Sequence, residues 1–275
     1  MQLYMRYWWI LAGLLLVGGR ICSARPDEID PAPRERPALW FSVGERLVYS
    51  VQWGILRVGE AVVWSEWVDD PDRDLLAIRV TARTVSFMDR IYPVDDFLES
   101  IVDAQTFLPL SFTKRLSEGR YRLHEITTFD HVAGQAHWKH LLREDSERFF
   151  EISSDTRDLL SFMFFMRSQP WEPGKHYEFQ VMADEKVYDL EVNTRKYENI
   201  ELPAFGKVRS LRLDPEAKFK GFFVRVAKVN VWLSDDARRL CTKARAGISL
   251  GTIQVVLQSV EGPGDDNWVM ANRAE

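Results

Sequence analysis

The densest group of side chains able to do chemistry is His131, His137 and His140, with Asp130 beside the first. Zinc takes imidazole nitrogens and carboxylates in tetrahedral sets, so a metal is the first chemistry to weigh here. Side chains in a strand alternate between faces, however, which sends His137 and His140 to opposite sides. His137-Trp138-Lys139-His140 is therefore poor ligand geometry unless the chain bends, and no metal is expected. The acid pairs Asp95-Asp96 and Asp235-Asp236 offer the carboxylates of general acid–base work. Neighbours on a strand point apart, so neither pair makes a facing dyad alone. Asp95 and Glu99 share a face, within reach of Lys114 or Arg115 across a hairpin. Turn chemistry and cross-strand ion pairs account for the same residues more simply. Serines are plentiful, and there is no P-loop or dinucleotide fingerprint. Cys241 stands between Arg238-Arg239 and Lys243, cations that would lower its pKa. No histidine lies near it in sequence, and a small buried thiol is the expectation. No catalytic residue and no cofactor follow from these groups.

The elements that must position them are strands. Leu47, Tyr49, Val51 and Trp53 alternate with Val48, Ser50 and Gln52, the period of a half-buried strand. A turn is expected over Gly54 and Arg57-Val58-Gly59, then strands over Glu60–Trp67 and Leu75–Val85 around the turn cluster Asp69-Asp70-Pro71-Asp72. Further strands are expected over 97–102, 110–115, 121–130, 135–140, 176–183, 186–194, 208–213, 224–234, 239–246 and 251–258. So many short strands without helical periods between them imply an all-β, mainly antiparallel fold. One segment differs. Ser154, Asp155 or Asp158 would cap a helix in which Leu159, Phe162, Met163 and Met166 share a face, and Leu160, Phe164 and Phe165 make the rest apolar. A helix that is apolar all round belongs inside something, here the concave side of a curved sheet or open half-barrel. A buried strand is the rival assignment for so short a run. The acid-rich start and Gln169-Pro170-Trp171-Glu172-Pro173-Gly174 after it favour the helix. The stretches Val94-Asp95-Asp96-Phe97 and Ser234-Asp235-Asp236, each upstream of a lysine-bearing strand, hint at a repeated hairpin unit.

The ends read differently. A weakly charged start, an apolar or small run from Trp8 to Gly19, and Cys22-Ser23-Ala24 have the pattern of a secretory signal cleaved after Ala24. Arg20 interrupts the run before the ~20 residues a spanning helix needs. An uncleaved anchor is the main rival, and lipidation at Cys22 is disfavoured by the bulky Ile21 before it. Removing residues 1–24 takes away Arg6 and Arg20 and no acid, so formal net charge moves from −5 to −7. That balance argues against nucleic acid as a partner and against non-specific attraction to an anionic membrane. Residues 25–39 form a leader rich in proline and charge, 40–260 one β-rich domain, and 261–275 a tail.

With these segments in view, the chain resembles a family of bacterial exported proteins, domain of unknown function 3108. The resemblance runs through Gly44-Glu45-Arg46-Leu47-Val48-Tyr49 with Trp53-Gly54, then Tyr92-Pro93-Val94-Asp95-Asp96 with Glu99-Ser100. Thr106-Phe107-Leu108-Pro109-Leu110 with Lys114-Arg115 and Arg120-Tyr121-Arg122 to Thr128-Phe129-Asp130 follow, then Asp158-Leu159-Leu160-Ser161 with Arg167, and Pro173-Gly174-Lys175. It closes on Val231-Trp232-Leu233-Ser234-Asp235-Asp236, Arg238-Arg239-Leu240 and Gly251-Thr252-Ile253. Cys241 departs from the proline expected after Arg-Arg-Leu. The resemblance implies a periplasmic or secreted β-rich domain akin to open half-barrels, and it brings no catalytic residues.

The function expected from this reading is non-enzymatic: an exported envelope protein, periplasmic or secreted, that binds a lipid, an acyl chain or a partner protein. Trp53, Tyr92, Phe162, Phe165 and Trp171 are the residues expected to line the site, by hydrophobic capture. Core filling explains the same aromatics without a ligand. The alternative is an assembly factor that recruits partners through exposed strand edges. A third reading is a hydrolase in which Asp95, Glu99 and a histidine converge only in three dimensions.

Overall fold

The computed structural model describes residues 35–263, apart from 220, 221, 224–227, 249 and 250. The signal-like segment 1–24, the leader up to 34 and the tail from 264 lie outside the described residues. The strands in chain order are β1 (Arg46–Trp53), β2 (Leu56–Val68), β3 (Leu75–Thr84), β4 (Asp95–Asp103), β5 (Pro109–Glu118), β6 (Tyr121–Asp130), β7 (Gln135–His140) and β8 (Glu147–Glu151). They continue as β9 (Arg157–Asp158), β10 (His176–Ala183), β11 (Lys186–Leu202), β12 (Gly206–Phe219), β13 (Phe222–Phe223), β14 (Val229–Ser234), β15 (Cys241–Ile248) and β16 (Gly251–Glu261). Two short α-helices are α1 (Ser86–Asp89) and α2 (Leu159–Phe165), the latter extended by a 3₁₀ turn over Met166–Ser168.

All the strands belong to one sheet, ordered β8-β7-β6-β5-β4-β3-β2-β1-β16-β15-β14-β12-β11-β10-β9, with β13 beside β12. Pairing is antiparallel throughout except for β9 on β10. The first eight strands meander outward from β1 to the β8 edge. The chain then crosses to the far edge through β9 and α2, and β10 to β16 return until β16 pairs with β1. Register shifts at Val48/Tyr49 against β16 and at Val51/Gln52 against β2 put bulges on both sides of the central strand. Bulges bend and twist a sheet, which is how this one curls. It does not close into a barrel. Instead, the β10–β11 turn reaches the opposite wing, where Asp184 meets Lys114 of β5 at 2.9 Å and Glu185 meets Arg148 of β8 at 3.2 Å. Both turn residues hold positive φ, 49° and 56°, which suits a two-residue hairpin connection.

Alternation decides what enters the curl. On β4, Asp96, Leu98, Ser100 and Val102 are buried while Asp95, Phe97, Glu99, Ile101 and Asp103 face outward. Helix α2 lies on the inner face. Leu160 and Phe164 join the large core formed by β1 to β7, β15 and β16 with Met182, Leu202 and Val208 of β10 to β12. Phe162 and Met166 join a second core with Trp171, Val181, Val192, Leu211, Leu213 and Leu233. Asp158 caps the helix, accepting from the backbone N–H of Leu160 at 2.7 Å and Ser161 at 3.1 Å. It also takes the Ser100 hydroxyl at 2.6 Å and that of Ser161 at 2.8 Å, which fixes the helix start to β4. Burial raises the Asp158 pKa, and these bonds oppose the rise.

Three expectations need correction. The turn expected at Arg57–Gly59 is strand, because Gly59 lies opposite Thr84 where a Cβ would come 2.7 Å from the Arg83 carbonyl oxygen. Only glycine fits that close backbone approach, so its presence there marks packing and not a turn. Strand β8 was not expected, since three of its five residues are charged, as suits an edge. The look-alike acid pairs are not a repeat: Asp95-Asp96 open β4, whereas Asp235-Asp236 follow β14 in a turn, Asp236 accepting from the backbone N–H of Arg238 and Arg239.

Candidate functional site

The histidines do not assemble. His131 contacts the Pro109 carbonyl, His137 stacks on Phe149 and pairs with Glu147 at 2.9 Å, and His140 is buried on the other face of β7. Asp95 and Glu99 do share a face, but it is the outer one, and their partners come from β3 and not from β5. Arg83 Nε lies 3.2 Å from Asp95 and Arg79 Nε 2.5 Å from Glu99, each pair directly across the ladder. These are the cross-strand ion pairs of a solvated face, and the partners of the two acids there are arginines and not a histidine. Cys241 donates to the Lys243 carbonyl at 3.6 Å, and burial pushes its thiol up to about 12 against the opposing pull of that hydrogen bond and of Arg167. His176, Glu178 and Glu191 cluster on the β10–β11 surface, but Lys218 already neutralises Glu191.

The five residues expected to line a cavity are dispersed. Phe162 and Trp171 are buried in the second core, and the Trp171 indole donates to the Met166 carbonyl at 2.7 Å. Phe165 is half-buried between the cores with the Arg157 guanidinium 3.6 Å from its ring centroid. Trp53 and Tyr92 lie elsewhere, at one rim of the curled sheet. The interior beneath is packed side chain.

That rim is built from hairpin tips. The β1–β2 tip, the α1 loop, the β5–β6 turn, the β7–β8 loop and the β10–β11 turn all fall at the same end of the ladder. Among the described residues, nine large apolar side chains are well exposed, and seven of them stand here: Trp53, Ile55, Leu56, Phe87, Ile91, Leu141 and Leu142. Ile55 is 97% exposed and Ile91 73%. Contiguous exposed apolar surface marks interaction sites. Neighbouring tips lie roughly two strand spacings, about 10 Å, apart. Tyr92 is set by Gly119, whose φ of +53° no branched residue would adopt and where a Cβ would come 2.9 Å from the phenol ring.

Just inside the rim runs a buried polar stripe. Lys114 Nζ bridges Glu125 at 2.5 Å and Asp184 at 2.9 Å. Burial opposes its charge, but the two carboxylates hold its pKa above the ordinary value. Asp96 and Glu118 face each other from β4 and β5, both nearly inaccessible to solvent. Asp96 accepts from the Ser117 N–H at 2.8 Å, yet Asp96 Oδ2 and Glu118 Oε1 find no partner. Burial, then mutual repulsion, raises Glu118 to about 8; burial, with a smaller push from Asp95, raises Asp96 to about 7.

The opposite rim is shut. Trp40 donates to the Phe164 carbonyl at 2.8 Å and packs on Phe107, while Phe41 packs on Phe164. Beneath them Glu45, fully buried, receives both amino groups of Arg167 and one of Arg238, the last at 2.6 Å. Arg167 Nε donates to the Arg238 carbonyl at 3.0 Å, tying the end of α2 to the β14–β15 loop. Many residues that carried the sequence resemblance meet here and at the helix start: Glu45, Ser100, Phe107, Asp158, Ser161, Arg167 and Arg238.

A match to the family described as Protein of unknown function (DUF3108) covers residues 48–258. The chain belongs to the DUF3108 family. Among solved structures, the DUF3108 chain is similar to a β-barrel-like protein of domain of unknown function DUF1849 from Brucella abortus. The TM-score is 0.54 and the identity 12%, over 80% of this chain and 97% of that one. A putative exported protein with YmcC-like fold from Bacteroides fragilis matches at TM-score 0.29 and 10% identity, over 80% and 97% of the two chains. Only the first likeness bears on the fold, and it supports the β-barrel-like architecture. No curated protein matches the sequence.

Sequence reasoning missed six of the seven rim residues of this DUF3108 protein, finding Trp53 alone. Their signal is apolar side chains at turn positions, as in Gly54-Ile55-Leu56 and His140-Leu141-Leu142. It also missed Asp96 and Glu118 as a pair. Each continues an inward apolar series, Leu98 and Val102 on β4 and Phe112 and Leu116 on β5, which is the pattern that would have found them.

Proposed function

We propose that this protein is exported to the cell envelope and binds lipid, without catalysis, through its open apolar rim. Export rests on the signal-like pattern of Met1–Ala24. The observation that carries the binding reading is the gathering of Trp53, Ile55, Leu56, Phe87, Ile91, Leu141 and Leu142 at one rim. Burying such side chains against acyl chains yields roughly 1–2 kcal/mol each, given that most start only partly exposed. Arg90, Arg120 and Arg143 stand exposed at the same tips with Arg57, which pairs with Glu60 at 2.9 Å, beside Asp89, Glu144 and Asp145. Apolar tips among arginines suit a lipid surface, where each cation contributes about 1 kcal/mol at anionic headgroups. Because α2 and its cores fill the concave face, lipid engages the tips, and Phe162 and Trp171 act as core. Recruitment by strand addition is the weaker reading, since the β8 edge carries Glu147, Arg148 and Glu151.

Co-sedimentation of the mature protein with phosphatidylglycerol vesicles tests the proposal, alongside a mass spectrum of lipid retained through purification. Native protein is expected to pellet with vesicles, and the double variant Ile55→Asp with Phe87→Asp to stay in solution. Vesicle binding unaltered by the double variant, or no binding by the native protein, overturns it.

A further inference from the structure

A second site lies on the outer face of the other wing. Val231 and Leu233 of β14 turn inward to the cores, so Asn230 and Trp232 face out. There they join Glu198 of β11, Arg212 of β12, and Lys243 and Arg245 of β15 around an open pocket of about 510 Å³, with Lys228 and Gly247 at its end. Its floor is the Trp232 indole, 6% exposed, whose N–H donates to Glu198 at 2.9 Å. Two cations flank the ring: Lys243 Nζ lies 5.6 Å and the Arg212 guanidinium 5.7 Å from its centroid.

The charges here do not balance. Glu198 and Asp214 are the acids of the site. They are matched by Arg212, 3.7 Å and 2.8 Å from them, and by Arg195, 2.8 Å from Asp214. Lys228, Lys243 and Arg245 remain, and among the described residues none of them has a carboxylate at ion-pairing distance. Surface cations usually spread into solvent, where they repel little. Here Lys243 is partly buried beside Arg245, and burial and that neighbour lower its pKa. Lys243 beside the Trp232 ring, with Arg245 and Lys228 along the same pocket, makes a site complementary to a compact dianion attached to a flat or apolar body.

We propose that this pocket binds a phosphate ester, the phosphate held by Lys243, Arg245 and Lys228 and the body of the molecule lying on Trp232. The phosphate belongs either to a soluble phosphomonoester or to a lipid headgroup. The second source has a geometric basis. Gly247 lies one residue before the end of β15 at the apolar rim, and Arg245 lies roughly 10 Å along the strand from that end. The phosphate site itself does not depend on the rim reading, because soluble anions test it alone.

Titration calorimetry of the mature protein with pyrophosphate and with inorganic phosphate is the test, beside sedimentation with phosphatidylcholine vesicles with and without phosphatidic acid. Lys243→Met and Arg245→Gln are each expected to weaken pyrophosphate binding roughly tenfold, the worth of one charge-assisted hydrogen bond. Arg245 is exposed, so its variant keeps the test sound should Lys243→Met perturb folding. Lys139→Gln, an exposed cation on the far wing, is expected to bind as the native protein does. Vesicle binding that requires phosphatidic acid and falls in Arg245→Gln assigns the phosphate to a headgroup. Pyrophosphate binding without it assigns a soluble ligand. No pyrophosphate binding by the native protein, or an equal loss in all three variants, overturns the site.

Discussion

The two rims of the half-barrel treat the same residue types in opposite ways. At the closed rim the aromatic side chains Trp40, Phe41, Phe107 and Phe164 cover one another, and the buried carboxylate of Glu45 has three guanidinium donors. At the open rim Ile55, Ile91 and Leu142 are bare, and two buried acids, Asp96 and Glu118, are set against each other. Close packing and satisfied polar groups are what stability selects. A rim that departs from both is where a protein carries a cost for the sake of a function. The fold therefore divides by height: one end holds the helix in place, and the other carries the surface proposed to bind lipid.

The largest test of that division is Arg167→Met. It removes two of the three donors from a fully buried carboxylate and frees the end of α2 from the β14–β15 loop. Breaking a buried ion pair on one side costs about 3–5 kcal/mol, because the remaining charge stays desolvated. Urea unfolding is expected to show a loss of that size. A loss under about 1 kcal/mol would mean that the clasp does not hold the closed rim together.

The sequence made one side of this comparison more legible than the other. Period two on β4 separated Asp95 and Glu99 from Asp96 and Ser100, and the apolar run after Asp158 with its Pro-Gly stop announced α2. Both are local patterns, and local patterns survive in one dimension. Glu45 and Arg167 stand 122 positions apart, so no periodicity joins them. The open rim was illegible for a related reason. Its residues sit on tips separated by whole strands, and one apolar side chain in a turn carries no period of its own. The outward Trp232 pocket was hidden likewise, since its cations come from β12, β15 and the residue before β14, which only the sheet order makes neighbours.

The open rim's buried acids give it a pH signature. Folding raises Asp96 from 3.8 to about 7 and Glu118 from 4.5 to about 8, burial being the first cause of each. Between pH 4 and 8 the folded state thus binds more protons than the unfolded chain. Stability must then fall as pH rises through that window, at up to about 1.4 kcal/mol per pH unit for each proton retained. Below the unfolded values both states are protonated and the difference vanishes. Asp96→Asn removes one titration and the repulsion, so it is expected to flatten the slope and to be more stable than the native protein at pH 8. Urea midpoints across pH 5 to 9 measure this. A native stability that rises with pH over the window, with the variant tracking it, would show that the acids are not held as the geometry implies.

The smallest expected effect is the most discriminating. If the bare side chains of the open rim served the fold, replacing them would cost stability as core residues do. Ile55 is 97% exposed at a hairpin tip and Leu142 56% exposed in the β7–β8 loop, so little apolar burial is lost when either becomes aspartate. Surface substitutions away from caps, cores and networks usually stay within about 0.5 kcal/mol. Ile55→Asp and Leu142→Asp are each expected to leave the urea midpoint within that margin while reducing vesicle binding. Neutral stability with lost binding keeps the two rims apart in purpose. A drop comparable to Arg167→Met would instead make the open rim part of the fold's own packing, and the contrast between the rims would collapse.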